Sequence, residues 1–291
     1  MKILPKLILL TLVVITNYNL HAQKLELDSV ADPSSKEIVL TKNDGTEYIG
    51  VILEQDDREV LLLTKTIGKV YVPKHEIQSI EEIKEEDFRE GVYLGNNLFS
   101  TRYFLTTNGL PMKKGDSYAL IQLFGPEFQI ALNEHFTVGV ITTWLGMPLI
   151  GSVKYSVSAG ENVHFAVGSL VGTGTWLSLG SVGAIGYGSL TFGNHMKNLS
   201  FTAGYAGFSL EGDTSSSLLL SIAGMAKINQ NIAFVGDSFI YPGESAWALI
   251  IPGLRFRQKN KGEFQFGLGA VLAGGEIVPA PIPMISWFRK I

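Results

Sequence analysis

The chain has 291 residues, no cysteine, and a formal net charge of −4 from 23 Lys/Arg and 27 Asp/Glu. Lack of thiols excludes disulfides, cysteine catalysis and a lipid-anchored N-terminal cysteine. Beyond the N-terminus no segment approaches eighteen uninterrupted apolar residues, so an integral membrane form has to be a closed β-barrel, which satisfies its backbone groups in lipid without helices.

Residues 1–22 read as a signal peptide. Lys2 and Lys6 supply the positive region, Leu7 to Ile15 a short apolar core, and Leu20-His21-Ala22 a cleavage site. The next stretch, residues 24–90, carries 9 Lys/Arg against 17 Asp/Glu. Such dense charge suits a solvated domain, and its negative sign argues against nucleic acid or anionic lipid as partners. Within it, residues 36–83 are expected to form five short strands: 37–41, 47–53, 60–66, 69–73 and 77–80. Asn43-Asp44-Gly45 provides the first hairpin turn. The expected core is Ile38, Leu40, Ile49, Val51, Leu61, Leu63, Val70, Val72, Ile77 and Ile80. Lys42-Asn43-Asp44-Gly45, Gly50, Gly68-Lys69-Val70-Tyr71 and Glu76-Ile77-Gln78-Ser79-Ile80 together resemble a small SH3-like or Sm-like β-barrel of exported Bacteroidetes proteins. That resemblance covers about 45 residues, implies a fold and implies no activity.

Residues 84–98 read as a linker. The charged run Ile80 to Gly91 is expected to be a short helix ending at the glycine.

From residue 99 onward the composition inverts: residues 91–291 hold 12 Lys/Arg and 10 Asp/Glu. Segments of ten to fourteen residues rich in Gly, Ser, Val, Leu and aromatics come in pairs. Tight polar turns join them at Asn133-Glu134-His135, Ala159 to Asn162, Gly193 to Asn198, Asn229-Gln230-Asn231 and Gln258 to Gly262. A hairpin meander behind an export signal is the pattern of an outer-membrane β-barrel. The expected strands are 101–107, 117–132, 135–146, 148–158, 163–175, 181–192, 199–210, 217–228, 231–240, 246–257, 263–273 and 282–291. Twelve fits the even parity that keeps both chain ends on the short-turn side, with ten as the alternative. Pro279, Pro281 and Pro283 lack ladder donors and are expected in a loop or strand mouth.

Alternation assigns the faces. Leu199, Phe201, Ala203 and Tyr205 are expected to meet lipid, opposite Ser200, Thr202, Gly204 and Ala206. Phe264, Phe266 and Leu268 likewise oppose Gln265, Gly267 and Gly269. Phe136, Phe165, Phe192, Phe201, Phe234, Phe256 and Phe264 would form a periplasmic aromatic girdle, and Trp144, Trp176, Tyr241 and Trp247 an outer one. Trp287 and Phe288 resemble the aromatic terminal strand read by the barrel assembly machinery, although the chain ends in Ile291. Thr101-Arg102-Tyr103-Phe104, Pro111 to Asp116 and Asn133 to Gly139 resemble a Bacteroidetes barrel family with no settled activity.

No phosphate loop, HExxH, Gly-x-Ser-x-Gly or paired metal spacing occurs. No catalytic residue, cofactor or metal is therefore expected. The functional candidates are the inward charges Lys154, Lys227, Asp237, Arg255 and Arg257, lining a narrow lumen path or pairing with one another. The expectation is an outer-membrane barrel with a periplasmic β-domain that has a structural or binding role or forms a narrow solute channel. An enzyme acting on lipid or envelope glycan is the alternative. Partners are outer-membrane lipid, the assembly machinery, and a small solute or envelope component. The small domain is expected to dock near the positive turn Gln258 to Lys261.

Overall fold

The computed structural model describes residues 36–44, 46–83, 88–89, 92–93, 99–113, 116–174, 181–210, 213–243, 246–258, 262–274 and 276–291. The expected signal peptide, most of the linker, Trp176 and Lys259 to Lys261 lie outside these residues.

Five strands form the small sheet: β1 (Ile38–Lys42), β2 (Glu47–Gln55), β3 (Glu59–Thr64), β4 (Gly68–Pro73) and β5 (Ile77–Glu82). Their order is β4-β3-β2-β1-β5, all antiparallel. The core consists of Ile38, Leu40, Val60, Leu62 and Val72, with Tyr48, Ile52, Val70 and Ile77 packed around it. This corrects the expected parity on β2 and β3. Tyr48 and Ile52, not Ile49 and Val51, turn to the core, and Val60 and Leu62 enter its cluster in place of Leu63 and of Leu61, which is buried outside that cluster. Both strands are apolar on both faces, so alternation alone cannot choose between them. Ile80 is 41% exposed rather than buried, beyond a register shift on the β1 edge of β5. The expected helix over 80–91 is also absent from the described residues. Ile80 to Glu82 continue β5, while β6 (Phe88–Arg89) pairs with β7 (Val92–Tyr93). The apolar spacing there was too loose to hold a helical face.

The remaining strands close into an antiparallel barrel of twelve: β8 (Tyr118–Gln122), β9 (Gly125–Ala131), β10 (Phe136–Thr142), β11 (Leu149–Ser158), β12 (Val163–Thr173), β13 (Ser181–Gly193), β14 (Lys197–Leu210), β15 (Asp213–Lys227), β16 (Ile232–Tyr241), β17 (Trp247–Gln258), β18 (Gly262–Ala273) and β19 (Glu276–Lys290). Twelve is reached by a different division of the chain. Residues 101–107 form no barrel strand, and the expected long strand 117–132 is two strands, β8 and β9. They turn at Leu123-Phe124, where Gly125 takes a φ of 149°. β19 pairs with β8 and closes the ring.

The five polar turns read from the sequence join strands at one and the same end, the short-turn end. Three of them share a device: Asn133, Asn194 and Asn229 each accept two backbone N–H groups through Oδ1, from His135 and Phe136, from Met196 and Lys197, and from Asn231 and Ile232. An asparagine side chain stands in for backbone in such turns.

The prolines expected in a loop belong to β19. β8 ends at Gln122 and pairs only with Ser286 to Lys290. One edge of β19 over 276–284 therefore has no ladder to lose, and an edge is where proline is tolerated in a sheet. A second irregularity lies between β15 and β16. Their ladder pairs Leu220 with Ile240 and Gly224 with Gly236, without pairs between. There the Ser238 hydroxyl donates to Ile222 O (2.7 Å) and accepts from Ile222 N (2.9 Å).

Outward positions are apolar as alternation requires. Val153, Tyr155, Phe165, Val167, Leu199, Phe201, Tyr205, Ile222, Phe234, Phe266 and Leu268 are all exposed. Aromatic neighbours band the short-turn end, including Phe136–Tyr155 (4.9 Å between centroids), Phe192–Phe201 (6.4 Å), Phe256–Phe264 (6.3 Å) and Phe264–Trp287 (5.2 Å). Tyr241 stacks on Trp247 at the other end (6.1 Å). A belt of bare hydrocarbon between aromatic rims is a lipid-facing surface. Arginine in place of Val167, near the middle of β12, is expected to cost about 2–4 kcal/mol of folding free energy in bilayers. Urea titration of folding into lipid vesicles checks this, and an unchanged midpoint contradicts a lipid-facing Val167.

Candidate functional site

Residues 99–112, which include the segment 101–107 expected as the first membrane strand, instead fill the barrel interior. Phe99, Ser100, Thr101, Arg102, Tyr103, Phe104, Asn108, Leu110 and Met112 are all buried. It is folded on itself, with one bridge between Arg102 and Thr107. Its apolar side chains fill gaps in the wall. Tyr103 and Phe104 join Ala223, Met225, Ala233, Val235, Ile251 and Met284 in one cluster, and Phe99 packs with Tyr118, Leu120 and Phe288 in another. Phe104 requires glycine opposite it, since a Cβ on either Gly253 or Gly267 would lie 2.5 Å from its ring.

A chain crossing a barrel interior has no neighbouring strand for its backbone groups, so those it does not pair within itself, as Tyr103 N does with Thr106 O and Asn108 N with Thr101 O, fall to wall side chains. Arg255 is the principal acceptor-seeking group. Its guanidinium donates to Phe99 O (2.7 Å), Arg102 O (2.5 Å) and Gln265 Oε1 (2.7 Å). It also lies 4.6 Å from the Phe288 ring centroid, a favourable cation–π placement. Glu263 stands 3.7 Å from it. On the neighbouring strand β16, Asp237 accepts from Leu105 N (2.7 Å), Thr106 N (2.9 Å) and Thr106 Oγ1 (2.6 Å). Lys154 Nζ reaches Thr107 Oγ1 (3.3 Å), Asn108 O (3.3 Å) and Leu110 O (3.4 Å). Tyr103 bridges to Asn198 (2.5 Å) and Ser200 (2.8 Å), while Gly109 N donates to Thr191 Oγ1 (2.7 Å).

Of the five candidate residues, Lys154, Lys227, Asp237 and Arg255 are buried at 2–6% exposure. Three of these, Lys154, Asp237 and Arg255, hold the inward segment. Arg257 sits further toward the short-turn end and pairs with Glu47 of β2, one turn from the expected docking region. Sequence reasoning missed Arg102 and Glu127, a buried ion pair of 2.8 Å that ties the segment to β9. A signal was available. The turn signals Asn108-Gly109 and Pro111 follow residues 101–107 at once.

Two hydroxyl–imidazole contacts lie at the short-turn end. His195 Nδ1 is 2.5 Å from Ser100 Oγ, and His164 Nδ1 is 2.8 Å from Ser158 Oγ. The other His164 nitrogen donates to Gly193 O (2.9 Å), not to a carboxylate. Among the described residues no cluster of His, Asp and Glu is placed to hold a metal.

Above the segment, toward the longer loops, a cavity of about 130 Å³ remains. Its floor carries Arg102, Glu127, Gln129 and Lys154, and its walls Ile141, Leu170, Ile185, Leu219 and Phe239. Fold and interior together define a transmembrane β-barrel whose lumen is occupied by its own chain.

No protein-family model matches this chain, and no curated protein matches it. Solved structures that resemble it include a NanC porin, 11% identical over 59% of this chain and 95% of that one with a TM-score of 0.39. Another is OmpT, an outer membrane protein of Vibrio cholerae, 11% identical over 87% of this chain and 94% of that one with a TM-score of 0.35.

Replacing Arg255 by alanine removes the side-chain donor of Phe99 O and Arg102 O and the cation 3.7 Å from Glu263, all in the buried interior. Breaking a buried charge network in this way costs about 3–5 kcal/mol. The Arg255→Ala barrel is expected to lose its folded band in unheated gels at a lower temperature than wild type, and its 99–112 segment is expected to become protease-sensitive. Unchanged heat-modifiability contradicts the anchoring role.

Proposed function

We propose that the protein is an outer-membrane barrel whose lumen is closed at rest by residues 99–112, acting as a binding or structural barrel rather than as an open diffusion pore. The observation that carries this is the inward segment, held from opposite walls by Arg255, Asp237 and Lys154. Three of the five inward charges expected to line a path, Lys154, Asp237 and Arg255, are engaged in holding it. Strand parity puts both ends of the barrel at the short-turn end, which is periplasmic in barrels of this type. The small sheet enters from that end, where Glu47 meets Arg257, so we read it as periplasmic. Its meander, in which β5 returns to β1, supports the SH3-like reading. We read the protein as a non-enzyme, since its Ser–His contacts lie at the short-turn end and His164 is oriented by a backbone carbonyl.

Planar-bilayer recording tests the closed lumen. Wild type is expected to show no steady conductance, while the double variant Asp237→Ala/Arg255→Ala opens in discrete steps. Steady large conductance in wild type, unaltered in the variant, contradicts the reading.

A further inference from the structure

The chamber above the inward segment differs in chemistry from a solute channel. Its walls are mostly apolar, from Ile141, Leu170, Ile185, Leu219 and Phe239, with hydroxyls of Thr137, Ser152, Tyr187 and Thr202 among them. A second hollow of about 400 Å³ toward the longer loops shares Leu170 and Ile185 with it and adds Ile150, Gly172 and Ala206. The apolar wall is thus continuous from the floor to the mouth. At about 130 Å³ the deep part compares with an apolar cavity that accommodates benzene.

The floor carries an excess of positive charge. Lys154 and Arg102 face one acid, Glu127. Glu127 is committed to Arg102 at 2.8 Å and to Gln129 at 3.1 Å. Lys154 is 6% exposed, and its bonds to Thr107, Asn108 and Leu110 are all long, at 3.3–3.4 Å. Among the described residues no carboxylate lies within ion-pair distance of it, and Arg102 Nε has no acceptor. A buried cation without a counter-charge is costly, and an anion brought beside it removes that cost. Pockets that bind small molecules share this construction, mostly apolar with a few convergent polar groups.

We propose that this chamber binds a medium-chain monocarboxylate, with its carboxylate on Lys154 and Arg102 Nε and its alkyl chain running up the Leu170–Ile185 wall toward the loop mouth. The inference rests on the closed-lumen reading, because the inward segment supplies the floor.

The test uses the full chain refolded into amphipol, titrated calorimetrically with octanoate, octanol and octylamine. Octanoate is expected to bind at one site, octanol at least tenfold more weakly, and octylamine not at all, since a hydrogen bond to a charged group contributes about 1.5–3 kcal/mol. Lys154→Gln is expected to weaken octanoate about tenfold or more, whereas Lys154→Arg retains binding. Leu170→Trp, which fills the chamber without touching the floor, is expected to abolish binding while heat-modifiable migration persists. Equal binding of the three probes, no octanoate binding by folded wild type, or unchanged affinity in Lys154→Gln overturns the proposal. A wild type that conducts no current yet binds no octanoate refutes the ligand and leaves the closed lumen standing.

Discussion

The structure depends on the satisfaction of one stretch of backbone. Residues 99–112 leave the sheet and enter a space where no strand runs beside them. Each of their N–H and C=O groups is a strong donor or acceptor that is expensive to leave unpaired. Arg255 answers the carbonyls of Phe99 and Arg102, Asp237 answers the amides of Leu105 and Thr106, and Lys154 answers the carbonyls of Asn108 and Leu110. These three wall residues form a cradle complementary to a turn: cations where oxygens point outward, an anion where hydrogens do. Charges in the interior of a membrane barrel are costly until paired. Here the pairing fixes where the segment lies, because only one fold of it presents both sets of groups correctly.

Packing reinforces the same placement. Phe104 needs the bare backbones of Gly253 and Gly267 on adjacent strands, and Phe99 stacks on Phe288, 5.1 Å between centroids. The glycine content of the barrel is therefore in part a negative mould of the segment inside it. Asp237 also lies beside the interrupted β15–β16 ladder, where Ser238 replaces backbone pairing at Ile222. The strand that reaches inward to hold the segment is the one whose own ladder is incomplete.

Much of this was legible in the sequence. Alternation is reliable where one face is apolar and the other is small or polar, so the outward Leu199, Phe201 and Tyr205 and the inward Ser200 and Thr202 could be read directly. The paired turns, many of them marked by asparagine, placed most strands, but the total of twelve matched only because counting 101–107 offset reading β8 and β9 as one strand. What was not legible was any feature decided by tertiary context. Residues 101–107 alternate enough to pass as a strand, and only the turn signals Asn108-Gly109 and Pro111 after them argue otherwise. Inward charge at Lys154, Asp237 and Arg255 was visible, but its partner was not, because that partner is backbone and carries no sequence signature. The same limit reversed the parity on β2 and β3, where valine and leucine occupy both faces, and hid the edge that admits Pro281 and Pro283 into β19.

The central claim is that residues 99–112 lie across the lumen against the wall strands. A cysteine-free chain allows a direct measurement. Thr106 Oγ1 and Ser221 Oγ are 3.5 Å apart, one on the segment and one on β15. In the variant Thr106→Cys/Ser221→Cys, folded into vesicles and mildly oxidised, the account predicts a disulfide within each molecule, seen as a shift in denaturing gels reversed by reductant. Both cysteines remaining free under oxidation, and both labelled by a membrane-impermeant maleimide, would contradict it.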